Sequence, residues 1–404
     1  MNQIKSQSYS ISLQAVYWMV FCSIHSYAAV FLTDLGFASA NVGLVVAISS
    51  LISVFMQPLV GAWIDKDATH RINTSSVMLV MAALIASGML LFTLAYTALA
   101  MFFYMFAIVC VITLQPIFSA LILQLKEKNE SVSFGVSRAF GSLAFAGAST
   151  FIGTLVEKNT ASIIPWVTLT LLAVLFIIVV TFPRNEKLPL GASTKSVGKG
   201  TLDKVSLHHT FKRYPAFTTI IFGLSFIFIF HSMANVFLIN IVQAVGGSER
   251  QFGFALTLMA MVEIPVMIGS GVLIRRFGTQ KLFAIAMIFY AIRSAALMLA
   301  DNMTAIYFAQ LLQALSFALY IPISVTYVGE IMGFADRVKG QTLTVSATTL
   351  GSVVGSMLGG IVIDGFGVQQ MLLLGFISTL IGAAFVLWGL RMATHKTLHT
   401  GNRT

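Results

Sequence analysis

Two opposite charges stand deep in apolar runs of this sequence. Glu263 lies in FALTLMAMVEIPVMIGSG and Arg293 in AIAMIFYAIRSAALML. Drawn as helices, each charge is about 12 residues from an end, which at ~1.5 Å per residue is roughly 18 Å deep. An ionisable group at membrane depth is costly and is a functional candidate by default. Opposite charges at one depth on neighbouring helices can pair. A paired carboxylate stays ionised; one whose partner is withdrawn takes up a proton, because a low dielectric disfavours the charged form. The two residues therefore read either as a permanent ion pair or as a proton-coupling site that changes with conformation.

Arg138 lies in the first turns of a further apolar run. It either snorkels to the membrane surface or faces inward, where its planar fork of donors suits hydroxyls or a carboxylate. Phe145 follows two turns along the same face and offers a ring to an apolar patch of substrate. His25 and His231 occupy equivalent depths in two other runs. Each could serve a proton role or act as a hydrogen-bonded neutral donor. Asn235, one turn beyond His231, is a further substrate-binding candidate. Gly61, Asp65 and Lys66 end another run, with Asp67, His70 and Arg71 next. A carboxylate there can hold helix ends together in one conformation and release them in another, so the three are expected to form a cytoplasmic gate. Glu330 has a matching place near a later cytoplasmic end.

The elements that must position these groups are membrane helices. Of 404 residues, 57% are hydrophobic and 9% charged, where a soluble domain carries about 25% charged residues. Twelve apolar spans can be drawn, near 12–33, 41–63, 74–95, 98–123, 134–156, 162–182, 216–245, 251–274, 281–300, 303–328, 340–363 and 368–391, each long enough to cross a bilayer core of about 30 Å. The net charge of +10 is spread between the runs, which argues against nucleic-acid binding. Cys22 and Cys110 lie inside apolar segments and read as small buried hydrophobes. No phosphate-binding glycine loop, metal-ligand cluster or hydrolytic triad is present. No enzyme and no cofactor are expected, leaving the proton gradient as the energy source.

The chain looks duplicated. HSYAAVFL (25–32) and HSMANVFL (231–238) agree at six of eight positions, and each leads into an apolar run with an internal proline, Pro58 or Pro265. Parallel repeats of this kind build transporters with a site between the halves. Residues 183–215, rich in Lys and Arg, divide the spans six and six, with an interfacial helix around 201–213 as one reading. This predicts an N-terminal bundle over 1–182, a cytoplasmic linker over 183–215 and a C-terminal bundle over 216–404. With the N-terminus inside, 20 of the 24 Lys and Arg fall on the cytoplasmic side, as the positive-inside rule demands. Both termini are then cytoplasmic. Gly135, Gly141, Gly147 and Gly153 line one span and Gly351, Gly355, Gly359 and Gly360 another, where small residues let helices approach closely.

These residues together resemble the major facilitator superfamily. Gly61-Ala-Trp-Ile-Asp65-Lys66 resembles its turn between spans 2 and 3. AISSLISVFMQPLVGAWIDK (47–66), FGVSRAFG (134–141) and the place of Arg293 resemble the lactose permease (oligosaccharide:proton symporter) branch. The His231 region and Glu263-Ile-Pro265 look closer to that branch's phenylpropionate-permease and sugar-efflux relatives. The resemblance implies an all-α fold of two pseudo-symmetric six-helix bundles and alternating access. It implies proton symport of a small sugar-like solute across the cell membrane by a functional monomer. The alternatives are a proton-coupled antiporter exporting sugars or drugs, and a non-transporting membrane receptor. It assigns Arg138 to the sugar, Phe145 to an aromatic stacking on it, and Arg293 to proton coupling. Ala120 stands near the place of the family's span 4 acid, and Phe317 and Tyr320 near its span 10 His and Glu.

Overall fold

A computed structural model describes residues 3–66, 68–93, 97–128, 132–182, 207–333 and 336–401, and every regular element among them is helical. The first unit contains α1 (Gln3–Phe21), α2 (Ala28–Asp34), α3 (Ser39–Ile64), α4 (Ala68–Thr93), α5 (Thr97–Lys128), α6 (Phe134–Lys158) and α7 (Ile163–Thr181). The second contains α8 (Leu207–Arg213), α9 (Pro215–Val236), α10 (Leu238–Ala244), most of α11 (Glu249–Phe277), α12 (Thr279–Met298), α13 (Met303–Leu311), α14 (Phe317–Ile331), α15 (Arg337–Phe366) and α16 (Val368–Gly401). The division is by contact: Met1–Thr201 with Glu249–Thr257 form one compact unit, Leu202–Ser248 with Leu258–Thr404 the other. The first nine residues of α11 thus group with the first unit. Most of the 183–215 connection lies outside the described residues; its last part is α8 and the start of α9.

Among the described residues, 11 helices are long and apolar enough to cross a membrane, or 12 with the bent α1–α2 pair as one span. Their outward faces are apolar: Phe92, Ile268 and Phe366 are 82, 76 and 74% exposed. In water such surfaces would drive aggregation; against lipid they match the solvent. Apolar contrast therefore cannot hold the helices together, and close backbone approach and interhelical hydrogen bonds must do so. In the first unit Ser49, Ser53 and Gln57, four residues apart on α3, donate to the Met105, Val109 and Ile112 carbonyls of α5 at 3.4, 3.4 and 3.3 Å. Cys22 and Cys110 are buried free thiols.

Two expected continuous spans are interrupted. The first has a π-helical turn at Cys22–Ser26 and bends by 43° before α2. Tyr104 donates to the Ile24 carbonyl at 2.5 Å and Thr168 to the Ser23 hydroxyl at 3.0 Å, so side chains from α5 and α7 hold the irregular turn. The tenth breaks between α13 and α14 in a 3₁₀ turn, Leu312–Ala314. Ser316 follows at φ −100°, ψ −91°. Breaks of this kind in membrane helices are tolerated where protein, not lipid, surrounds them.

The glycines are not equivalent. A Cβ on Gly355 would lie 2.8 Å from Ile229 Cα, and one on Gly223 would lie 2.9 Å from Phe385 Cβ, so these seat α9 against α15 and α16. Gly147 and Gly135, in the first unit's glycine series, have open space or only Ser133 Oγ at 3.9 Å. Gly355→Ala should cost about 1–3 kcal/mol by overpacking, read as a lower melting temperature in detergent. Gly147→Ala should leave melting unchanged or raise it slightly.

Candidate functional site

Each unit carries its own polar group of residues. In the second, α12 places Arg293 at 0% exposure. Its Nη2 donates to Gln310 Oε1 at 3.1 Å, while its Nε and Nη1 are buried with no hydrogen-bond partner among the described residues. Gln310 stands near the end of α13, and Gln313 three residues on, in the 3₁₀ turn. Gln313 Nε2 donates to Glu263 Oε1 on α11 at 3.0 Å. Glu263 also lies within electrostatic reach of Arg293 and Tyr290. Arg293 and Glu263 each have a neutral carboxamide as a hydrogen-bond partner.

On α9, Asn235 Nδ2 donates to His231 Nε2 at 3.1 Å and to the His231 carbonyl at 2.7 Å. Accepting at Nε2 places the ring proton on Nδ1, which is buried and unpartnered, as is Asn235 Oδ1. The His231 ring stacks on Phe317 at 4.4 Å and meets Tyr290 edge-on at 6.0 Å. The Tyr290 hydroxyl is a further buried orphan. An unpaired buried donor or acceptor costs about 1–3 kcal/mol. A cluster of them offers hydrogen bonds to a polar ligand or to water.

In the first unit Arg138 faces protein. Its guanidinium lies 4.0 Å over the Trp18 ring and its Nη1 donates to Ser142 at 2.7 Å. Trp18 Nε1 donates to Gln14 Oε1 at 2.9 Å, and Phe145 meets the same ring edge-on at 6.5 Å. A Cβ on Gly141 would lie 2.6 Å from Trp18 Cδ1, so that glycine makes room for the indole. His25 stacks on Phe21 at 4.6 Å. Gln14, Trp18 and Phe21 recur at intervals of four and three on one face of α1, and His25 follows four residues on, in the π-helical turn. That periodicity was present in the sequence and marks Gln14, Trp18 and Phe21 as partners that the search for isolated charges passes over. Gln310 and Gln313 were likewise overlooked as uncharged residues. Near Ala120 the structure has a cavity of about 440 Å³ lined by Gln57, Gln115, Pro116, Ser119 and Leu123.

The expected gate residues are separate from these clusters. Asp65 follows the end of α3, its amide donating to the Gly61 carbonyl at 2.9 Å, and the Asp65 and Lys66 side chains are exposed. Arg71 donates to the Trp63 carbonyl at 3.1 Å and lies 5.2 Å from its ring. Glu330 accepts from Thr279 at 2.6 Å, joining the end of α14 to the start of α12.

Residues 10–374 match the model of the MFS_1 like family. The chain belongs to the MFS_1 like family. Like other members, it is a multi-pass membrane protein of a transporter family and not an enzyme. This family member is 30% identical over 165 residues to a putative sugar efflux transporter of Deinococcus radiodurans, a match spanning 40% of this chain and 41% of that relative. It is 24% identical over 359 residues to the maltose permease of Geobacillus stearothermophilus, covering 87% and 86% of the two chains. The nucleoside transporter NupG has a similar structure at 15% identity and a TM-score of 0.77, covering 97% of this chain and 99% of that one. A bacterial homologue of the human lysosomal transporter Spinster is similar at 16% identity and a TM-score of 0.66, covering 96% and 98%. Likeness at such identities establishes the fold, the two-bundle major facilitator fold expected from the spans.

A cation over an indole contributes about 0.5–2 kcal/mol. Arg138→Ala and Trp18→Leu should therefore couple by that amount in a double-mutant cycle of unfolding in mixed micelles. Additive effects would show that the two side chains do not support one another.

Proposed function

We propose that this member of the family is a secondary transporter carrying a small polar organic solute, sugar- or oligosaccharide-like, across the cytoplasmic membrane by proton symport with alternating access. The observation that supports this most is the second unit's buried group. Arg293 is wholly buried, Glu263 is within its electrostatic reach, and both are held by neutral amides. A carboxyl in such surroundings can exist charged while its cation is near and protonated when the two separate. That is the behaviour a proton-coupling residue needs.

The solute class follows from what the polar groups can recognise. Arg138 offers planar donors beside an aromatic face, with the Ser142 hydroxyl alongside. His231, Asn235 and Tyr290 add buried donors and an acceptor without partners. Hydroxyl groups both donate and accept, and a sugar ring's C–H face suits an indole or phenyl ring, so a polyhydroxylated solute uses both kinds of group. The printed names of the maltose permease and of the sugar efflux transporter point the same way. In this reading Arg138, Phe145, His25, His231 and Asn235 bind solute, Glu263 and Arg293 couple the proton, and Gly61, Asp65 and Lys66 form the cytoplasmic gate. The chain acts as a monomer with both termini in the cytoplasm, and no cofactor takes part.

The match to a sugar efflux transporter favours a second reading, export of sugars in exchange for protons. Proteoliposomes with an imposed pH gradient separate the two: symport accumulates solute on the side that protons enter, and antiport depletes it there. Glu263→Gln should abolish gradient-driven accumulation while solute binding and solute–solute exchange persist. Unchanged proton coupling in that variant would remove Glu263 from the mechanism.

A further inference from the structure

Gln310, near the end of α13, and Gln313, in the 3₁₀ turn that follows, serve two different kinds of charge. Gln310 faces a guanidinium, which only donates. Its carbonyl must therefore point at Arg293, as it does, and its Nε2 is left buried and unpartnered. Gln313 faces a carboxyl, which accepts when ionised but both donates and accepts when protonated. Its Nε2 now donates to Glu263, and its Oε1 is buried without a partner. The two ends of a carboxamide are nearly the same size. Half a turn about the last side-chain bond exchanges them without displacing a neighbour.

Resting on the proton-coupling role proposed for Glu263, we propose that Gln313 is the positioning residue that follows the proton. With Glu263 ionised, the amide N–H donates to the carboxylate. When a proton arrives from the aqueous phase, an O–H bond forms on Glu263. Gln313 turns over, and its carbonyl accepts from the new O–H. No charge is added or removed at Gln313, so both protonation states of Glu263 keep a hydrogen bond to this buried side chain. Other groups surround the site. Arg293 and Tyr290 face Glu263 from α12, the former only able to donate. His231 on α9 is already engaged by Asn235 and stacked on Phe317. Gln310 is committed to Arg293, and Tyr320 on α14 acts electrostatically on Tyr290. Gln313 also sits in the break between α13 and α14, where the backbone is not locked into an α-helical ladder, so its turning and the helix geometry can affect one another.

Infrared difference spectra of the reconstituted full-length protein between neutral and acid pH test this directly. Wild type should show a protonated-carboxyl band that is absent in Glu263→Gln. In Gln313→Met, of similar size but unable to accept, that band should move to higher frequency. pH-driven solute uptake should fall about tenfold, the factor for one lost buried hydrogen bond. Gln313→Lys, which only donates, should also weaken or remove the band, since it serves the carboxylate alone; it provides the readout should the methionine variant not fold. A band lost in Glu263→Gln but unmoved in Gln313→Met and Gln313→Lys overturns the role of Gln313 and leaves the proton role of Glu263 standing. A band that survives in Glu263→Gln overturns the proton role and this inference with it.

Discussion

Charge is expensive in a bilayer, and the placement of this protein's few intramembrane charges constrains much of the rest. A cation at the depth of Arg293 must be enclosed by protein and must find hydrogen-bond acceptors there. The Gln310 carbonyl supplies one. Reaching it requires α12 and α13 to pack at a fixed register, and the core around them is built accordingly from Phe283, Met287, Tyr290, Leu319 and Ile323. Glu263 meets the same requirement through Gln313.

The use of amides for this purpose has a physical logic. A salt bridge with no freedom would hold both charges but would resist separation, whereas a neutral partner stabilises a charge modestly and lets its surroundings change. The first unit solves its version differently. Arg138 rests on an indole face and a serine hydroxyl, a mode of support open to a guanidinium and poorly suited to an ammonium. In both units the charged heads have neutral hydrogen-bond partners.

Helix association follows from the same solvent. Lipid offers no hydrophobic drive, so contacts between helices depend on glycine at the closest approaches and on hydroxyl and amide side chains reaching a neighbour's carbonyl. The Gly223 and Gly355 contacts in the second unit and the Ser49–Ser53–Gln57 series in the first are two forms of this device. The irregular turn at Cys22–Ser26 is held by similar bonds from α5 and α7, and the one at Leu312–Ala314 carries Gln313, the partner of Glu263.

Much of this architecture was legible in the residues alone. Runs of about 20 apolar residues require spanning helices, because backbone amides find no partner in lipid except one another. The depth of Glu263, Arg293 and Arg138 follows from counting along those runs. The Gln14–Trp18–Phe21 face could also have been found by its period. What the linear order could not decide was which neutral side chain meets which charge. Gln310 meets Arg293 from the end of α13, and Gln313 meets Glu263 from the 3₁₀ turn that follows, at a place with no proline or glycine to announce it. The glycine series reads as uniform along the chain, yet Gly147 is open and Gly355 is pressed on Ile229. Local composition determines whether a segment enters the membrane. The angle and register at which two helices cross depend on every side chain between them, and only the packed structure settles that.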